Sequence, residues 1–285
     1  MKRSFLVLGL LAVLAGAWAV SAVGASFTVA SDTTWPPFEW AGADGQLYGF
    51  DLDVMRLIGI LEGYDVDIIS YSWDIIFDDV GIGRVDIGAS GATITAERDQ
   101  KVDFSAPYWT SNQAVMVKAD SGLNIAMALS SGRKIGAQVG TTGAKWIQEQ
   151  LIDKGIDVEL KEYTLYPLAV LDLLNGNIDA VVQDEPASRA SMAADARLAI
   201  TGVIETGEQF GFFVANGDPK GILPKINDGL QKLKASTAWE DLISAYMGGA
   251  ELTKIEAAWK AASSFLAAND AVGFAKALAA GVAAP

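Results

Sequence analysis

The sequence predicts an α/β protein of two lobes with largely parallel sheets. Three observations carry that reading. Strand-like runs alternate with amphipathic helical runs from residue 27 to about 247. A helix, glycine and strand pattern occurs twice, from Gly83 to Gly91 and from Gly176 to Asp184, each spanning eight residues beyond its glycine. The 285 residues are also enough for two modest lobes with cores of their own.

The elements follow in chain order. Met1-Lys2-Arg3, an apolar run from Phe5 to Val20, and small residues ending in Val23-Gly24-Ala25 predict a secretory signal peptide cleaved after Ala22 or Ala25. The run is shorter than the roughly 20 residues of a spanning helix, so a membrane anchor is the weaker reading. No cysteine follows it, which excludes a lipid anchor. A periplasmic or secreted location is therefore expected.

Next comes a strand at Phe27–Ser31. Leu52, Met55 and Ile58, with Val54 and Leu61, then form the apolar face of a helix. Further strands are expected at Asp65–Tyr71, Val85–Ala89, Gln113–Lys118, Lys134–Val139, Val158–Tyr163, Ile178–Val182 and Gln209–Ala215, with helices near 73–82, 142–154, 166–175 and 222–235. The alanine-rich stretch 250–285 repeats Ile255, Trp259, Ala262 and Leu266 at helical spacing and predicts one or two helices packed on a lobe.

Composition removes several chemistries. With no histidine and no cysteine, the chain lacks a thiol nucleophile, a histidine-based triad, an imidazole base and most zinc or copper sites. No catalytic residue, cofactor or metal is expected. The net charge of −14, which loss of Lys2 and Arg3 deepens, makes nucleic acid and anionic lipid poor partners.

A site for a zwitterion needs a guanidinium, a carboxylate and walls that exclude water. The segment Ser90-Gly91-Ala92-Thr93 leaves a strand and leads to Arg98 at the expected start of a helix, where a cation is unfavourable without an anion beside it. An exposed Arg98 paired with Glu97 or Asp99 is the plain alternative. Gly140-Thr141-Thr142-Gly143 forms a helix amino terminus after Gln138, which is either anion-friendly or an ordinary cap. Asp184, after Gln183, either caps the next helix or faces a cleft. Trp35 and Trp73 follow strands and serve as cleft walls or as half-buried core. Asp51, Asp53, Asp78 and Asp79 read as solvated faces or caps.

Several ordered runs add a resemblance. Ala30-Ser31-Asp32-Thr33-Thr34-Trp35-Pro36-Pro37-Phe38-Glu39, Gly49-Phe50-Asp51-Leu52-Asp53, Thr95-Ala96-Glu97-Arg98, Val102-Asp103-Phe104-Ser105-Ala106-Pro107-Tyr108 and Gly140-Thr141-Thr142-Gly143 resemble the periplasmic binding proteins for polar amino acids, the family 3 solute-binding components of ABC importers. The resemblance implies a two-lobed periplasmic-binding-protein fold with a ligand cleft and two hinge crossings. Lobe one would span 26–108 plus 210–247 and lobe two 112–207, with crossings at Tyr108–Asn112 and Glu208–Phe212. It implies that Arg98 grips a ligand carboxylate, assisted by Gly91, Thr93, Thr141 and Thr142, and that Asp184 takes the ammonium. Trp35 and Trp73 would be the walls, and Asp32, Ser90, Gln138 and Gln183 would lie near the ligand side chain. The implied partners are a free amino acid, basic or polar, and an ABC permease, with the protein a monomer. The alternatives are a cyclohexadienyl or arogenate dehydratase on the same fold, or the ligand-binding partner of a sensory receptor.

Overall fold

The computed structural model describes residues 25–284, so the expected signal peptide lies almost wholly outside the described residues. The first half-molecule begins with β1 (Ser26–Ser31), β2 (Thr34–Trp35), β3 (Glu39–Ala41), β4 (Leu47–Tyr48), α1 (Phe50–Glu62), β5 (Asp65–Ser70), α2 (Trp73–Gly81), β6 (Ile87–Gly88) and β7 (Val102–Phe104). The second comprises β8 (Trp109–Lys118), α3 (Ile125–Ala128), β9 (Lys134–Gln138), α4 (Thr142–Ile147), β10 (Glu159–Tyr163), α5 (Tyr166–Asn175), β11 (Ala180–Asp184), α6 (Glu185–Ala194) and β12 (Leu198–Phe210). The chain then returns as β13 (Phe213–Ala215), α7 (Leu223–Lys234), α8 (Thr237–Met247), α9 (Leu252–Ala267) and α10 (Ala271–Ala283).

The strands form two five-stranded sheets of matching plan. One has the order β5-β1-β6-β13-β7, the other β10-β9-β11-β8-β12. In each, three neighbouring strands run parallel, and the last two join through antiparallel pairings, with β13 and β8 the single reversed strands. The parallel strands need crossover helices, and the alternation of period-two and helical apolar patterns supplies them. This is the two-lobed periplasmic-binding fold.

The repeated glycine pattern has a physical reason. Gly83 and Gly176 follow α2 and α5 with left-handed φ values of +73° and +75°, the geometry that ends a helix and turns the chain into a strand. α1 buries Leu52, Met55 and Ile58 completely, with Met55 and Ile58 in one core with Ile226, Leu230 and Leu233 of α7.

Several expectations are corrected. The strand expected at Val85–Ala89 pairs only at Ile87–Gly88. The strand expected at Gln209–Ala215 is two strands, interrupted where the Gly211 N–H donates to Ala92 O and the Phe212 N–H to Ser105 Oγ as the chain passes from one sheet to the other. Arg98 begins only a three-residue 3₁₀ turn, which has no dipole of the kind the helix argument assumed. Asp51, Asp53 and Asp79 are buried, and only Asp78 of that set is a solvated face, paired with Lys101. Periodicity marks charged positions as outward by default, and cannot foresee distant donors folding over them.

The tail is helical. α9 and α10 fold back on each other against α8 and α1, with Ile255, Trp259, Ala262, Phe274 and Leu278 in the core of the first lobe. Trp259 Nε1 donates to both oxygens of buried Asp53, at 3.0 and 3.1 Å, and Tyr246 donates to Asp53 Oδ2 at 2.5 Å. Trp40 Nε1 donates to Glu256 Oε1 at 2.9 Å.

Candidate functional site

Four parallel strands, two from each sheet, end at one place. β1 runs into Asp32 and β6 into Ser90 and Gly91, while β9 ends at Gln138 and β11 at Asp184. Sites in open α/β sheets form at such carboxyl ends because the loops there are free to diverge. The result is a narrow cavity between the lobes, lined from both sheets. Every residue singled out from the sequence lines it except Gln183. Strand alternation turns the Gln183 side chain the other way, where its Nε2 donates to Ser191 on α6, and the backbone carbonyl of Gln183 accepts from Ser188. Glu39 and Tyr166 line the cavity and were not singled out.

Arg98 is the centre of one wall. Its guanidinium donates to Thr93 O at 2.8 Å and to Gly140 O of the other lobe at 3.2 Å. Trp73 and Phe77 stack on it, with ring centroids 5.0 and 4.7 Å from Cζ. Burial lowers its pKa to about 10, and among the described residues no carboxylate lies within ion-pair distance of it. The guanidinium is thus a largely desolvated cation that feels Glu208 and Asp184 at longer range but pairs directly with no carboxylate.

The opposite deficiency occurs at Asp184. It sits just before α6 but makes no side-chain cap, and its Oδ1 is buried without a partner. Burial, then the charge of Glu208, pushes its pKa up to about 7, against the lowering effect of Ser111 and Gln113.

The remaining groups bridge the lobes or set the walls. Gln138 Nε2 donates to Asp32 Oδ2 at 2.8 Å across the cavity. Burial raises the Asp32 carboxyl, with Gln138 and Thr34 opposing it. Glu39 is fully buried; its Oε1 accepts from Ser90 at 2.9 Å, and its Oε2 has no partner. Burial and neighbouring Asp51 and Asp32 hold its carboxyl well above the usual range. Thr141 caps α4 by accepting from the Ala144 N–H at 3.2 Å, so the ordinary cap is part of the arrangement.

Trp35 lies on Gly91, where a Cβ would approach its ring to 2.1 Å, and stacks on Tyr166 of the other lobe at 6.5 Å. Thr93 of one lobe and Thr142 of the other both donate to Glu208 Oε2, at 2.7 and 2.6 Å. Nothing local marks Glu39, Tyr166 or Glu208 in the sequence: Glu39 ends a quoted run, Tyr166 opens an unremarkable helix, and Glu208 belongs to a crossing.

Comparison with known proteins gives consistent results. Residues 27–249 match the family described as bacterial extracellular solute-binding proteins, family 3. ABC transporter arginine-binding protein 1 of Escherichia coli K12 is 29% identical over 213 residues, covering 73% of this chain and 85% of that protein. An ancestral arginine-binding protein bound to arginine has a TM-score of 0.72 and 30% identity, covering 79% of this chain and 99% of the other. An ancestral amino acid-binding protein described as a precursor of cyclohexadienyl dehydratase has a TM-score of 0.70 and 30% identity, covering 78% and 95%. The family match stops before α9 and α10.

Proposed function

The chain belongs to the bacterial extracellular solute-binding proteins, family 3, and within that family we propose that it captures a free basic L-amino acid between its lobes for an ABC permease. One observation carries the reading: Arg98 lacks an anion and Asp184 lacks a cation, and both line one cavity. An α-carboxylate on Arg98 and an α-ammonium on Asp184 would satisfy both groups, which no ligand of a single charge does. Gly91, Thr93, Thr141 and Thr142 line the same cavity, and Trp35 and Trp73 form its water-excluding walls.

A basic side chain is favoured over an amide by Asp32 and Glu39 together. Both carboxyls line the cavity and are raised by burial, so a cation placed there would favour their ionised forms and satisfy Glu39 Oε2. Relatives named as arginine-binding proteins support this class.

The assignment of lobes as 26–108 plus 210–247 and 112–207 belongs to the same proposal. The crossings at 108–112 and 208–212 would act as the hinge, the closed form presenting a shape that the permease recognises. A signal peptide cleaved after Ala22 or Ala25 would deliver a soluble monomer outside the cytoplasm.

Calorimetric titration of refolded, ligand-stripped protein tests the reading. L-arginine or L-lysine should bind tightly, L-glutamine weakly and L-glutamate not at all, and folded Arg98→Ala should lose tight binding. Equal affinity for glutamate, or retained affinity in Arg98→Ala, would refute it. The raised carboxyls of Glu39 and Asp184 are also the kind a dehydratase acid requires. Incubation with prephenate and arogenate should therefore be run beside the titration, and no turnover is expected.

A further inference from the structure

We infer that Asp51 is a positioning residue that joins the Ser90–Gly91 loop to the interlobe crossings, so that a filled cavity and a closed hinge favour each other through one carboxylate. The inference rests on the amino-acid-binding reading above.

The link begins at the start of α1. Gly49 has φ +143°, and a Cβ there would come within 2.0 Å of Phe38 O, so the backbone passes too close for any side chain and the entry to the helix is set. Asp51, in the first turn, is fully buried. An acid in that position commonly serves the free amides of its own helix. Here the Oδ2 atom instead accepts from the Gly91 N–H at 2.8 Å and from the Tyr108 hydroxyl at 2.5 Å, 40 and 57 residues away.

Each partner leads to a different part of the mechanism. Gly91 lines the cavity in a left-handed conformation (φ +51°), with the Trp35 ring where its Cβ would be, so its peptide is held by indole on one side and Asp51 on the other. Tyr108 opens the first crossing, immediately before β8. Its ring lies face to face on Phe212, the last residue of the second, with centroids 4.3 Å apart and planes 7° apart. The Tyr108 N–H donates to Phe210 O at 3.0 Å, so the lobe-one ends of both crossings move together with Tyr108. Displacement of the Gly91 peptide therefore reaches both crossings through a single buried acceptor, whose rearrangement is costly because its donors have no water to turn to.

Asp51→Asn, Tyr108→Phe and the double variant, each titrated with L-arginine and measured by small-angle scattering with and without it, test the link. The single variants should keep a cooperative unfolding transition yet bind about tenfold more weakly, the scale of ordinary coupling between sites. The double variant should be no weaker than the worse single, because both changes cut one link. Ligand-induced compaction should shrink in all three, which a purely structural role would not produce. Parental affinity with parental compaction in folded Tyr108→Phe, which removes one hydroxyl only, would overturn the inference, as would losses that add. Failure of the parent to bind arginine would overturn the basic-ligand reading and this link together, whereas parental behaviour of the variants overturns the link alone.

Discussion

At Asp184 burial has moved a carboxyl from its usual value of 3.8 to about 7, and this makes both stability and binding depend on pH. Between those values the folded state holds a proton that the unfolded state has released. The stabilisation is therefore fully present below about pH 4 and is lost as pH rises through 7, at on the order of 1.4 kcal/mol per pH unit for one proton. Asp51, also pushed up to about 7 by burial, adds a slope of the same sign. Urea unfolding of unliganded protein should show stability falling from pH 5 to pH 7, and Asp184→Asn should flatten that fall. The proposed ligand needs the ionised form, so affinity should drop by about tenfold per unit below pH 7, with a proton released on binding. Calorimetry in buffers of different ionisation enthalpy checks this, and Asp184→Asn should bind poorly at every pH while being more stable at pH 7. The residue types of this site were legible in the chain: an arginine beyond a strand, a carboxylate closing another, tryptophans after strands. The absence of an ion partner at Arg98, and the neutral tendency of Asp184, depend on what other segments bring near, and no local pattern reports that.

The helices beyond residue 250 show the same division among elements. Ile255, Trp259 and Ala262 stand at the spacing of a buried face, so helix and packing were foreseeable. What they pack on was not: Trp259 reaches across to Asp53, and the Arg56 guanidinium lies 5.3 Å from the indole centroid. Asp53 thus satisfies Tyr246, Trp259 and Arg56 together, the salt bridge to Arg56 being 2.6 Å. Trp259→Ala opens a cavity and removes a donor from a buried carboxylate, at a cost of about 3–5 kcal/mol. Trp259→Phe preserves most of the volume and should cost less, about 1–3 kcal/mol for the orphaned carboxylate. Urea unfolding measures both, and arginine affinity should be unchanged in Trp259→Phe because the cavity has no wall in α9. The strand expected at 209–215 failed for a related reason. Its apolar run is continuous, but the chain changes sheets at Gly211–Phe212, and only the partners Ala92 and Ser105 require the break.

Across the whole molecule the lobes meet over the cavity through Gln138 to Asp32, Arg98 to Gly140 and Lys145 to Glu97, the last at 2.9 Å. A ligand that adds contacts to both lobes should raise the unfolding free energy by about 2.7 kcal/mol at one hundred times its dissociation constant, read as a shift in thermal unfolding. Arg98→Ala should show no such shift with arginine. Local chemistry was enough to set the α/β class, the two repeated glycine-to-strand turns and the strand ends on which the cavity is built. Side-chain period and backbone sterics act within a few residues, so those features are written along the chain itself. Which carboxylates are buried, which strand face meets the cavity, and which donors Asp51, Asp53 and Glu208 collect were decided only when segments 40 to 206 residues apart met. Desolvation and hydrogen-bond satisfaction are properties of the assembled interior, and an isolated stretch of sequence has no interior.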